Sequence, residues 1–239
     1  TYQASVVLVE PQLTPRPALP TRGFNLGALP LRQPFISLVV SQAGAGAPIS
    51  AGSAILIEGL GLREAVTQVE IDGAPVPTTK VHADRISLTL PAGLAAGPHG
   101  VQVRHGVDIG APGVPHLAFG SNLGTFAVQP VITQTAGSYD IAISNVQGTG
   151  PAPRSATVVI DVVPDIEPGQ TATLELLTPQ GVAYTFMAAP RTADGDQATF
   201  ALSGVTAGDY LFRVRVDGAE SPLELDANRV PIAPQETIP

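Results

Sequence analysis

Ile86-Ser-Leu-Thr-Leu90 alternates apolar and polar residues without a break. A period of two marks a β-strand with one buried and one wet face, because successive side chains point to opposite sides. Val101-Gln-Val-Arg104 and Val214-Arg-Val216 repeat the pattern. Asp72-Gly73 and Asp217-Gly218 each follow such a run, and both residue types tolerate the positive φ of a tight hairpin. No segment sustains a 3.6-residue apolar period, so helix content is expected to be very low.

Strands are predicted on either side of this nucleus. Over residues 35–128 they are Ile36–Ser41, Ala54–Glu58, Val66–Ile71, Thr79–His82, Ile86–Leu90, Gly100–His105 and Thr125–Gln129. Over residues 129–239 they are Val131–Thr135, Asp140–Ser144, Ala156–Val162, Thr171–Leu177, Ala183–Ala188, Ala198–Leu202, Tyr210–Val216 and Leu223–Leu225. Short strands separated by turn residues at this spacing predict two tandem immunoglobulin-like β-sandwich domains, 35–128 and 129–239. Gly208-Asp-Tyr210 places a tyrosine on an incoming strand in the manner of a tyrosine corner. Val128-Gln-Pro-Val131 is a short junction and predicts limited bending between the sandwiches. The run from Pro231 to Pro239 carries three prolines and is expected to fray.

Composition narrows the function. Charged residues make up 13% of the 239-residue chain, about half the usual ~25%. The basic residues are one lysine, Lys80, and scattered arginines, and the net charge is −8, so no basic patch for nucleic acid is expected. No apolar stretch reaches the ~18 residues of a membrane-spanning helix. Cysteine is absent, which excludes disulfides, thiol chemistry and cysteine-based metal sites. Thr1 is not a start methionine, so the lack of a signal-peptide pattern leaves targeting open.

His99 and His105 stand on one face of a strand but ~20 Å apart at ~3.3 Å per residue, so they cannot share a metal. With His82 and His116 they read as exposed or capping histidines. Asp194-Gly-Asp196 lacks the oxygen ligands and bidentate glutamate of a calcium loop and reads as a turn. Asp140, Asp161, Asp165 and Glu167 are further carboxylates without a metal-loop spacing. No serine lies in a Gly-x-Ser-x-Gly elbow. There is no tryptophan and aromatics total 5%, which argues against hydrolase and lectin sites alike. Arg104, Arg213 and Arg215 read as solvated sheet faces, or as charges guarding an edge strand. No catalytic, metal or cofactor residues are assigned, and the chain is expected not to be an enzyme.

Residues 1–34 read differently. Residues 3–10 read as an apolar strand without a local hairpin partner. Residues 11–34 carry Pro11, Pro15, Pro17, Pro20, Pro30 and Pro34, a semi-rigid extended linker. Tyr2, Ser5, Val6, Val7, Leu8 and Val9 are the candidate interaction strand, able to complete another sheet. The competing reading places the strand's partners in a domain upstream of Thr1.

Two family resemblances follow. Gly52-Ser-Ala-Ile-Leu-Ile-Glu-Gly59, Val69-Glu-Ile-Asp-Gly73, Ile86–Pro91, Gly97–Val103 and Ser121-Asn122 with Phe126 resemble the IPT/TIG family of Ig-like folds. Tyr2-Gln-Ala-Ser-Val-Val-Leu-Val-Glu10 followed by Thr14-Pro-Arg-Pro-Ala-Leu-Pro20 resembles the end of the N-terminal domain of tail-terminator (cap) proteins of phage-tail-like contractile injection systems. That resemblance implies a structural component, the Ig-like C-terminal extension of a tube and sheath terminator. Its implied partners are tube and sheath subunits, and the protein itself as a ring through the upstream domain. It also implies a cytoplasmic assembly, part of a particle that is released or envelope-attached. Two other readings stand beside it: a cell-surface Ig-like adhesion or carbohydrate-binding module, and an accessory β-sandwich of a larger enzyme.

Overall fold

Ile86 and Leu88 are fully buried and their neighbours are not, as the period-two reading requires. The computed structural model describes residues 33–44, 46–107 and 116–239, and the regular secondary structure among them is β alone. The candidate interaction strand and nearly all of the proline-rich linker lie outside the described residues.

The first sandwich uses β1 (Phe35–Ser41), β2 (Ala54–Leu60), β3 (Val66–Ile71), β4 (Ala74–Val76), β5 (Thr78–Val81), β6 (Arg85–Thr89), β7 (Gly97–Val107), β8 (His116–Gly120) and β9 (Gly124–Val128). One sheet runs β1-β2-β6-β5. The other runs β4-β3-β7-β8, with β9 alongside β7. All pairs are antiparallel. Ile55, Ile57, Ile86 and Leu88 from the first sheet meet Val69, Ile71, Val101 and Val103 from the second. Each such side chain adds roughly 1.5–3 kcal/mol when fully buried. Gly59 allows the tight β1–β2 pairing, since a Cβ there would lie 2.0 Å from the Phe35 carbonyl oxygen. The two strands not predicted, β4 and β8, are the short partner of the Asp72-Gly73 hairpin and an exposed edge.

The second sandwich uses β10 (Val131–Ile132), β11 (Gln134–Thr135), β12 (Ser138–Tyr139), β13 (Ile141–Gln147), β14 (Arg154–Ile166), β15 (Ala172–Thr178), β16 (Gly181–Met187), β17 (Gly195–Val205), β18 (Gly208–Val216), β19 (Ala219–Glu220), β20 (Glu224–Leu225), β21 (Pro231–Ala233) and β22 (Gln235–Ile238). One sheet joins β10, β13 and β17 to the long β14. The facing sheet runs β16-β15-β18, with β19 and β22 on the far side of β18. Val158, Ile160, Leu174, Leu176, Phe200, Phe212 and Val214 form its core. The Tyr210 hydroxyl donates to the Thr206 carbonyl at 2.9 Å, which is the predicted tyrosine corner. The tail does not fray. Gln235–Ile238 pairs with Gly208–Leu211 and Ile238 is fully buried. Proline lacks an N–H, but on an edge strand that loss is tolerated.

Candidate functional site

Polar side chains gather in three places. The first is the sheet face of the second sandwich. Arg213 and Arg215 are two apart on β18 and so share a face. Arg213 donates to Glu175 Oε2 through Nε at 2.8 Å and Nη2 at 2.6 Å, and Arg215 Nη1 donates to Oε1 at 3.0 Å. Glu220 closes the group with Arg213 at 2.8 Å. The Glu175 side chain is 6% exposed. Burial pushes its carboxyl up, but the hydrogen bonds and charges of the two arginines outweigh that and hold it below the ordinary carboxylate value. The expectation of solvated arginines is therefore corrected: cross-strand register brings both onto one buried acid.

The second place is the pair of Asp-Gly hairpins. Asp72 and Gly73 have φ of 49° and 81°, and Asp217 and Gly218 have 46° and 87°, as type I′ turns demand. In each, the aspartate side chain reaches across to the next strand. Asp72 Oδ1 accepts the Gly100 N–H at 2.8 Å, and Asp217 Oδ1 accepts the Thr171 N–H at 2.9 Å. The second carboxylate oxygen takes the side chain one residue earlier on that strand: His99 Nδ1 at 2.6 Å from Asp72 Oδ2, and Gln170 Nε2 at 3.0 Å from Asp217 Oδ2. Burial pushes the Asp72 carboxyl up, and the bonds from His99 and Gly100 outweigh it and hold it below the usual value.

The third place is the seam between the sandwiches. Gln170 Nε2 also donates to the Ala96 carbonyl at 2.7 Å. Ala96 is 2% exposed and belongs to the second sandwich's core, although it precedes β7 of the first. Gly97 follows at φ 123°, and a Cβ there would stand 3.4 Å from Asp217 Cβ. The Gln129 N–H donates to the Ile49 carbonyl at 2.7 Å. The two sandwiches belong to one compact unit. A shallow crevice lined by Ala92, Ala95, Pro164, Asp165, Glu167 and Asp194 opens on this seam.

The remaining predicted groups are apart. His82 and His116 are exposed. His105 is 1% exposed, with Nε2 3.3 Å from the Leu62 carbonyl, so reading it as an exposed or capping histidine is corrected: its odd-numbered position on β7 faces the core with Val101 and Val103. Asp140 accepts the Thr133 hydroxyl at 2.6 Å. Among the described residues no three acidic or histidine side chains gather where they could hold a metal ion, and no helix is long and apolar enough to cross a membrane. Ser121 and Asn122 act as struts. Asn122 accepts the Ile36 N–H at 2.7 Å and donates to the Ile36 carbonyl at 2.9 Å, while Ser121 Oγ accepts the Val103 N–H at 3.0 Å. No local pattern marked Glu175 or Gln170, since each acts on partners far along the chain.

Comparison with known proteins bears on each sandwich separately. Residues 34–128 match the family model described as IPT/TIG domain. The first sandwich is IPT/TIG-like. Residues 130–238, beyond the IPT/TIG-like sandwich, match the model described as Domain of unknown function (DUF8756). A search of the curated proteins finds no match. Among solved structures the chain is similar to SGBP-B of the Bacteroides ovatus mixed-linkage glucan utilization locus, solved in complex with a mixed-linkage heptasaccharide. Identity is 15% and the TM-score 0.26, covering 79% of this chain and 42% of that one. This chain therefore spans less than half of that structure's chain, and a likeness of this depth carries no argument about ligands.

Proposed function

We propose that the chain is a non-catalytic structural element, the Ig-like C-terminal extension of a tail-terminator (cap) protein of a contractile injection system. The observation that carries the structural part is that the polar side chains of the sheet faces, hairpins and seam are taken up by one another and by the backbone. Arg213 and Arg215 are neutralised by Glu175 and Glu220, His99 and Gln170 hold two hairpins and the seam, and Ser121 and Asn122 tie strands together. A chain built this way transmits position rather than performing chemistry. The Tyr2–Pro20 resemblance supports the assignment to a cap protein, with tube, sheath and ring neighbours reached through an upstream domain. A hydrogen-bonded seam suits a stiff appendage.

The test is immunogold electron microscopy of purified particles, using an antibody raised against residues 33–239. Label at one end of the tube is the expected result. Intact particles without label at either end would sink the reading, and so would specific binding of the chain to a glycan array.

A further inference from the structure

We infer that His99 is a proton-dependent latch on the seam between the two sandwiches. Both nitrogens of its ring face acceptors: Nδ1 lies 2.6 Å from Asp72 Oδ2 and Nε2 lies 2.8 Å from the Ala95 carbonyl. The side chain is 9% exposed and packs beside Phe126, with ring centroids 5.7 Å apart. A neutral imidazole has one N–H and one lone pair, so it can satisfy one of these acceptors and must point a lone pair at the other. The imidazolium donates to both. The full set of hydrogen bonds therefore exists only in the doubly protonated ring.

What the ring holds gives the latch its reach. The Ala95 carbonyl that takes Nε2 is one peptide before the Ala96 carbonyl that takes Gln170. Gln170 in turn bonds Asp217, and Gly97 lies against that same aspartate. A continuous line runs from Asp72 through His99 and the Ala95–Gly97 backbone to Gln170 and Asp217. Loosening the first link frees the peptide that docks on the second sandwich.

The charged groups around this line are almost all acidic. Asp72 faces the ring from the β3–β4 hairpin, and Asp217 faces Gly97 from the β18–β19 hairpin. Asp165, Glu167 and Asp194 line the crevice that Ala95 also lines. Arg191 shares a groove with Gln170, but its guanidinium is taken up by the carbonyls of Ile166, Gly195 and Gln197. The sign follows. The latch is closed while the ring carries both protons, and it opens when the ring gives one up. At the acid end it weakens when Asp72 takes a proton and its bond to the ring loses charge assistance, below the ordinary 3.8 because the folded state holds that carboxyl down.

The experiment is NMR on the full chain. It follows the ring nitrogens of His99, the side-chain amide exchange of Gln170 corrected for its intrinsic pH dependence, and residual dipolar couplings of both sandwiches, from pH 5.5 to 8.5. The expected result is two protonated ring nitrogens at pH 5.5 and one at 8.5. Gln170 exchange should rise about tenfold in step, the worth of one charge-assisted hydrogen bond. Asp72→Asn supplies the decisive variant. Its amide can donate to Nδ1 while Nε2–H donates to Ala95, so a neutral ring satisfies both contacts. This variant should stay latched at pH 8.5 with no step in Gln170 exchange. A Gln170 exchange rate flat across the titration of His99 would overturn the inference, as would a step surviving unchanged in either Asp72→Asn or His99→Gln.

Discussion

Val69-Glu-Ile-Asp-Gly-Ala74 and Val214-Arg-Val-Asp-Gly-Ala219 share four residues in six, turn through the same conformation and clasp the neighbouring strand with the same aspartate oxygen. They reach that arrangement from opposite directions. In the first sandwich the hairpin comes before its partner strand β7; in the second it comes after its partner β15. Chain order is thus immaterial to the device. An Asp-Gly turn next to an antiparallel strand is enough, because the turn fixes the carboxylate where the next strand's N–H emerges. The flanking charges are exchanged as well. Glu70 meets Arg104 at 3.5 Å in the first sandwich, and Arg215 meets Glu175 at 3.0 Å at the matching position of the second. What differs is depth: a second arginine, Arg213, joins the latter pair. The side chain bonded to the second aspartate oxygen also differs, a titratable histidine in one case and an amide in the other.

The largest test of this comparison is Glu175→Ala. It leaves two arginines facing each other with only Glu220 as partner, and should cost about 3 kcal/mol in urea denaturation. Glu175 also predicts an acid limb. Its folded-state carboxyl is held below the ordinary 4.5, so its stabilisation is present above that value and fades as pH falls through the lower, folded-state value. Denaturation series at pH 3 and pH 6 should show the wild type losing stability at pH 3, with the alanine variant losing less. Next come Asp72→Ala and Asp217→Ala. Each removes two hydrogen bonds from an equivalent turn and should cost about 2 kcal/mol; a difference of more than about 1 kcal/mol between them would break the equivalence. Tyr210→Phe, which removes the corner bond found only in the second sandwich, should cost about 1 kcal/mol. Smallest is Glu70→Ala. Its ion pair is long and Arg104 is 38% exposed, so a loss of about 0.5 kcal/mol is expected.

The features that were legible in the sequence are local ones. The alternation of Ile86–Leu90 and Val101–Arg104, both Asp-Gly turns and the Tyr210 corner all rest on backbone geometry within a few residues. Features set by register were not. Arg213 and Arg215 reach Glu175 across 38 and 40 residues, and a single strand's pattern cannot say what stands opposite it. The tail misled for the same reason. Pro231 and Pro234 argue against regular structure locally, while Gln235–Ile238 is fixed by pairing with Gly208–Leu211 far upstream. The seam was not legible: nothing in the local pattern marked Ala96 or Gln170 as its contacts.

Ala96 has a consequence for inheritance. A residue encoded with the first sandwich sits within the core of the second. A gene fragment beginning at residue 130 would leave a methyl-sized gap where Ala96 packs and strip Gln170 of an acceptor. The two segments are therefore poor candidates for separate shuffling between proteins. During synthesis the first sandwich emerges before the second, and so can stand ready as part of the surface on which its successor condenses.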